Sequence, residues 1–346
     1  MRDGRAVSPR LRVGLAGLGS MGRNHLRNLA SRDDVDLVAV ADPSEAAVTA
    51  ATEQVPAHAY ADPLEMLEEE RLDALVVAAP TTLHHSIALA AIERSVPVLV
   101  EKPLATTVAE GRELVEAAER RGVLLQAGHI ERFNPAVLAL GERLRGGALS
   151  RIYSIKTLRG GPFPARIRDV GVAVDLATHD VDIMCHLAGA RPDRVYAETT
   201  QHVHTSHEDL AFGLLHFPGG TVGLLDVNWL TPEKQRSITV LGEEGMFRVD
   251  YLSQTLTFTR GAAELSPTYL DGYAPTFAGE TVQLPVTPAE PLRRELDAFF
   301  DAVRSGGPAV ISGSDGLWAV ALANLLLEAA AAHRPVAVHP PEVARA

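Results

Sequence analysis

Lys102 in "VPVLVEKPLA", and Asp175 with His179 in "DVGVAVDLATHDVDIMCHL", are the residues whose types suit proton transfer. Asp175 and His179 are four positions apart, so they share a face of an α-helix. A histidine titrates near neutrality and is the usual proton acceptor, and a carboxylate one turn away orients it or stabilises its imidazolium. A lysine can accept the proton, or donate a hydrogen bond to an oxygen that gains negative charge; the types do not choose between these roles. The plainer readings are a Lys-Pro pair in a solvated turn, and a core histidine beside a carboxylate at a helix N-terminus. Asp175, His179, Asp180 and Asp182 together also suggest a metal. Asp180 and Asp182 cannot both share the face of Asp175 and His179 on a regular helix, so no metal is expected.

A second signature is "RVGLAGLGSMGRNHLRNLA", Arg12 to Ala30, with Gly17, Gly19 and Gly22 in the spacing G-x-G-x-x-G. Alone it is a glycine-rich turn. Here it follows an apolar strand, opens a helix, and is followed by a second strand ending at Asp42, 20 positions after Gly22. In that setting Gly17 permits the turn, Gly19 lets the backbone approach a pyrophosphate, and Gly22 allows close helix packing. Asp42 would accept hydrogen bonds from both ribose hydroxyls and repel a 2′-phosphate. No Arg or Lys adjoins it in "ADPSEAA", so NAD is expected over NADP.

The elements that must carry these residues follow from the apolar pattern. Between Leu11 and Gly128 short apolar runs at 37–40, 75–79, 98–100 and 123–127 alternate with helical stretches, the rhythm of a doubly wound parallel sheet covered on both faces. After a helix from Pro135 to Arg145 the strands lengthen at 151–158, 194–200, 210–217, 221–229 and 246–251, with turns at Pro218 to Gly220 and Gly242 to Gly245. This half is expected to be a mostly antiparallel open sheet interrupted by one helix around 172–188. Two helices close the chain, at 291–304, with Leu292, Leu296, Phe299 and Val303 on one side, and at about 315–332. The expected class is α/β: a Rossmann domain over 1–128 and an α/β domain over 129–335, with the last helix able to pack back on the first domain.

The chain has 346 residues, enough for two cores, and a formal net charge of −12 that disfavours nucleic acid and anionic lipid as partners. Hydrophobic residues make up 46%, yet the sequence shows no continuous apolar run suited to a bilayer, and glycines break the apolar stretch after the basic N-terminus. Neither membrane association nor secretion is expected. Cys185 is the single cysteine, so no intramolecular disulfide forms and a cytoplasmic, reducing compartment fits.

Taken together, "GLGSMGRNH", "AAPTTLHHSIALAAIERSVPVLVEKP" and "GVAVDLATHD" resemble the Gfo/Idh/MocA oxidoreductases in order and spacing over about residues 11–190, and "EPLRRELDAFFDAV" with "ISGSDGLWAVALANLLLEAA" resembles the family's closing segment. The resemblance implies NAD at Gly17, Leu18, Gly19, Ser20, Met21, Gly22, Asp42, Pro80, Thr81, His84, Glu101 and Lys102, and a catalytic Lys102, Asp175 and His179. "GHIERFNPA" and "PARIRDVGVAVDLATHDVD" are similar to the branch of UDP-N-acetylglucosamine 3-dehydrogenases. That similarity implies a UDP-linked sugar and substrate contacts at Lys102, His129, Arg132, Asn134, Arg166, Arg168, Asp175 and His179. The activity implied is oxidation of a sugar secondary alcohol, C3 of a UDP-N-acetylhexosamine, to a ketone. An inositol or free-sugar dehydrogenase is the alternative enzyme, and a non-catalytic NAD-bound regulator the alternative of another class.

Two further expectations concern partners. A pyrophosphate approaching so acidic a chain needs concentrated cations; Arg159, Arg166 and Arg168 fall in a Gly- and Pro-containing stretch before Asp175, and Arg132 follows His129 as a further one. Segments such as "TVGLLDVNW" carry apolar residues on both faces, which predicts a homodimer or homotetramer.

Overall fold

The computed structural model describes residues 10–164, 170–261 and 279–341. The first elements are β1 (Leu11–Ala16), α1 (Ser20–Ala30), β2 (Val35–Ala41), α2 (Glu45–Thr52), β3 (His58–Tyr60), α3 (Pro63–Glu69), β4 (Ala74–Val77), α4 (Thr81–Glu93), β5 (Val98–Glu101), α5 (Val108–Arg121) and β6 (Leu125–Gly128). There follow α6 (Pro135–Arg145), β7 (Ile152–Pro162), a π-helical turn (Ala173–Ala177) running into α7 (Thr178–Ala188), β8 (Arg194–Thr200), β9 (Leu210–His216) and β10 (Val222–Asn228). The last elements are β11 (Leu230–Gly242), β12 (Gly245–Asp250), β13 (Thr255–Arg260), β14 (Thr281–Leu284), α8 (Pro291–Ser305), α9 (Gly313–Ala332) and β15 (Val336–Ala337).

The described residues divide into two compact units, 10–130 with 292–321 and 341, and the remainder up to 340. This moves the expected boundary: His129 and Ile130 stay with the first unit, and so do α8 and the first part of α9. The reason is apolar. Leu292, Leu296, Phe299 and Phe300 of α8 share one buried core with Val13 and Leu15 of β1, Leu26 and Leu29 of α1, and Leu99 of β5.

In the first unit six strands pair in parallel in the order β3-β2-β1-β4-β5-β6, so the chain reverses its direction of travel between β1 and β4. Alternation along the strands feeds two cores. Leu99 enters the core with α1, α2 and α8, whereas Val98 and Val100 enter the one with α4, α5 and Leu317 of α9. Both faces are covered, which is why the strands read as continuous apolar runs. Helix α9 is long and apolar enough to cross a membrane by composition, but 56% of its apolar window is buried within the protein, as suits a core helix.

Among the described residues the second unit holds a nine-stranded sheet in the order β14-β13-β12-β11-β7-β10-β9-β8-β15, antiparallel at every junction except β10 with β7. The sequence missed β11, a 13-residue strand whose first half, "LTPEKQ", is polar and carries a proline. Its pairing with β7 slips between Leu230 and Gln235, and that irregularity accommodates Pro232. The helix expected at 172–188 is not regular either, because it begins with the π-helical turn.

Leu296 is fully buried in the α8 core. Leu296→Ala is expected to lower the unfolding free energy by about 2–5 kcal/mol, measured by urea denaturation with circular dichroism.

Candidate active site

In the first unit every candidate group follows the carboxyl end of a parallel strand. β1 leads into Gly17, whose φ of +93° suits glycine, and a Cβ there would stand 2.5 Å from the Ala79 nitrogen. A Cβ on Gly22 would stand 2.0 Å from the Gly17 carbonyl oxygen, so α1 can start this close to the turn only without one. At Gly19 a Cβ would meet nothing within 4 Å. Gly19 is also the N-cap of α1, with no side-chain cap and no acidic residue in the first turn. The first-turn N–H groups therefore present a positive helix end to an outside acceptor, the arrangement a pyrophosphate needs.

β2 leads to Asp42. Its Oδ2 accepts the Leu18 N–H at 2.7 Å and its Oδ1 accepts the Ser44 N–H at 2.9 Å. The carboxylate is thereby tied to the glycine turn and keeps lone pairs for two hydroxyls. β4 leads to Pro80, the N-cap of α4, which also lacks a side-chain cap; Thr81 is the first helical residue. His84 is buried, with Nδ1 2.8 Å from the Pro103 carbonyl and Nε2 2.9 Å from the Ala79 carbonyl. Both partners are acceptors, so the ring satisfies both only as imidazolium, against a burial that pushes its pKa down.

β5 ends in Glu101, then Lys102. Glu101 Oε1 lies 2.7 Å from His25 Nε2 on α1, and Oε2 accepts the Lys102 N–H at 3.3 Å. His25 stood within the glycine motif but was not singled out from sequence, because nothing in the linear pattern joins it to a residue 76 positions away.

In the second unit Asp175 lies in the π-helical turn and His179 in the first turn of α7. Both are half-buried, while Ala177, Thr178 and Asp180 are buried, so Asp175 and His179 share the more open side of this helix. A π-turn at this point is a common feature of functional sites. Asp180 and Asp182 face the other way and are committed. Asp182 takes both hydrogen bonds of the Arg132 fork, at 2.8 and 2.5 Å, and Asp180 Oδ2 accepts from Arg159 Nε at 2.8 Å.

Those pairs correct the expectation for Arg159. It belongs to strand β7, is 1% exposed, and is bonded to Asp180 and, at 2.8 Å, to Glu131. Although burial opposes its charge, the fields of Asp180 and Glu131 raise the guanidinium above its ordinary value. It anchors the helix of Asp175 and His179 to the sheet and is not a surface cation. Arg132 likewise spends its fork on Asp182. Asn134 caps α6 by accepting the Ala136 N–H and donates to the Tyr251 carbonyl, a structural assignment in place of substrate contact. His129 is buried just after β6 in the first unit. Arg166 and Arg168 lie outside the described residues. Glu131, which also bonds Arg236 at 3.4 Å, was missed, since a charge in a short helical turn carries no sequence signal for burial.

Residues 11–129 match the family described as "Oxidoreductase family, NAD-binding Rossmann fold", and residues 137–248 match the "GFO/IDH/MocA C-terminal domain". The chain belongs to the GFO/IDH/MocA oxidoreductase family. As a member it is an oxidoreductase that uses NAD and acts on the CH–OH group of its donor. It is 26% identical to a myo-inositol 2-dehydrogenase of Thermotoga maritima, over 90% of this chain and 94% of that one. It is 29% identical to a UDP-N-acetylglucosamine 3-dehydrogenase of Acidithiobacillus ferrooxidans, over 88% and 93%. The solved structure of the Acidithiobacillus ferrooxidans enzyme superposes with a TM-score of 0.83 at 26% identity, covering 94% of this chain and 99% of that chain.

Residues of the first unit fit NAD: uncapped helix N-termini at Gly19 and Pro80, open space over Gly19, and the Asp42 carboxylate. When bound, NAD accepts a hydride from the alcohol carbon. Asp42→Ser is expected to lower the ratio of NAD to NADP affinity by about tenfold or more, measured by titration of each cofactor, because it removes both the hydroxyl acceptor and the charge that repels a 2′-phosphate. Equal wild-type affinities would contradict this role.

Proposed function

We propose that this oxidoreductase converts a secondary alcohol of a sugar to a ketone, with C3 of a UDP-N-acetylhexosamine as its donor. The observation that carries the reaction is the presentation of Asp175 and His179 on the open side of one helix, with Asp180 and Asp182 turned away into ion pairs. His179 takes the hydroxyl proton, Asp175 orients the ring, and Lys102 donates a hydrogen bond to the oxygen as it gains charge. That Lys102 and His179 act on one hydroxyl is part of the proposal. The nucleotide-sugar assignment is supported by the likeness to the Acidithiobacillus ferrooxidans enzyme in both sequence and structure.

A neutral polyol is the second reading. It is favoured by the inositol dehydrogenases among the relatives and by the burial of Arg159 and Arg132 in ion pairs, which removes two of the expected phosphate cations. The pyrophosphate is then assigned to Arg166 and Arg168. The test is reduction of NAD by purified protein across a panel of UDP-sugars and polyols. UDP-N-acetylglucosamine should be oxidised, and Arg166→Ala or Arg168→Ala should raise its KM about tenfold or more, on the order of 1.4 kcal/mol, with NAD affinity held. Oxidation of uncharged polyols alone would replace this reading with the second.

The same proposal includes assembly with a second copy of the chain, and a cytoplasmic location suited to a lone buried thiol. Phe212, Leu214 and Leu224 are 47%, 45% and 38% exposed on one face of the β9–β10 ribbon, and lie beside Lys156, Glu198 and Asp226. A second copy would bring the same apolar surface with charges of both signs. Leu214→Glu is expected to yield monomers in sedimentation at micromolar concentration where the wild type is a dimer or tetramer; a monomeric wild type would contradict assembly.

A further inference from the structure

Helix α8 buries a stripe of Leu292, Leu296, Phe299 and Phe300, and Glu295 stands inside it. Glu295 is fully buried, and neither of its carboxyl oxygens has a hydrogen-bond partner among the described residues. An anion so placed has no compensation, so burial favours the neutral acid. Buried polar groups without partners are rare enough that each needs an explanation.

The surroundings supply one. By alternation with Leu99 and Leu125, the side chains of Glu101 on β5 and Gln126 on β6 lie on the sheet face that α1 and α8 cover. Four buried polar side chains thus belong to one layer: His25, Glu101, Gln126 and Glu295. Gly128, the register partner of Glu101, leaves room for the carboxyl, since a Cβ there would stand 3.3 Å from Glu101 Cδ. Glu101 is in turn bonded to His25 and to the Lys102 N–H. Among the described residues the charge that acts on Glu295 is that of Glu101 on β5, which is itself bonded to His25 on α1.

We propose that Glu295 is a positioning residue for Lys102: as a neutral acid it turns its O–H towards Glu101, leaves that carboxylate as the single anion of the layer, and so keeps it on His25 and the Lys102 N–H. This rests on the reading of Lys102 as a group that meets the reacting hydroxyl. Burial first, and the Glu101 charge second, push Glu295 well above the usual carboxylate range. The unfolded chain ionises this group near its ordinary value while the folded chain keeps the proton. Stability therefore falls as pH rises from the ordinary carboxylate value towards the folded one.

Glu295→Gln and Glu295→Leu test this in the full-length protein. The melting temperature is followed from pH 5 to 9. The wild type should lose stability with rising pH relative to Glu295→Gln, which mimics the neutral acid and carries no such dependence. Parallel profiles would mean an ionised Glu295 and overturn the proposal. The His25 ring signals, read by NMR at one fixed pH, should stay put in Glu295→Gln and move in Glu295→Leu, where Glu101 loses the proposed donor; unmoved ring signals in Glu295→Leu would also overturn it. Neither readout needs a sugar, so their failure is separable from failure of the dehydrogenase reading. With an active donor, Glu295→Gln should keep kcat within about threefold and Glu295→Leu should lose about tenfold with KM for NAD little changed. Full kcat in Glu295→Leu would contradict a positioning role.

Discussion

The constraint on which the first unit depends is the direction of its strands. Because all six run parallel, their carboxyl ends share one edge, and at that edge the chain delivers Gly17, Asp42, Pro80 and Lys102 from β1, β2, β4 and β5. Loops of separate sequence are thereby joined by short bonds: Asp42 to the Leu18 N–H, His84 to the Pro103 and Ala79 carbonyls, and Glu101 to His25. Helix N-termini that could have been capped by a side chain are left uncapped at Gly19 and Pro80, which is the signature of an edge shaped for an anionic ligand.

The second unit solves a different problem, which is to hold one helix fixed on a sheet while leaving one side of it open. Arg159 and Arg132 do this from inside, through Asp180 and Asp182 on the buried side of α7. Buried pairs of this kind contribute little net stability, and removal of one partner is severe because the other is left charged and buried. Their value lies in orientation. Arg159 and Arg132 are thus the pins of α7, and two of its acids, Asp180 and Asp182, are used internally.

Much of the fold was legible because it was apolar. The four N-terminal runs, the strands read at 194–200 and 210–217, and both closing helices fall within a few residues of where the pattern put them, since continuous or alternating burial leaves a direct trace. β11 was not legible: its polar first half with Pro232 obeys the sheet and not its own pattern. The glycine motif and Asp42 could be read because their chemistry is local. Arg159 and Arg132 were misassigned because sequence shows a charge and not its partner 21 or 50 residues away. Glu295 did leave a trace, a lone acid in the stripe of Leu292, Leu296 and Phe299, that marks a buried carboxyl once the stripe is known to be core.

The proposal on which the functional reading turns is that Lys102 of one unit and His179 of the other serve the same reacting hydroxyl. A double-mutant cycle tests it, with Lys102→Met, His179→Asn and the combined variant compared by the rate of NADH formation in a single turnover. Groups that act as one device are strongly non-additive. The account predicts that the combined variant is hardly slower than the slower single variant. Independent losses that multiply in the combined variant would contradict it.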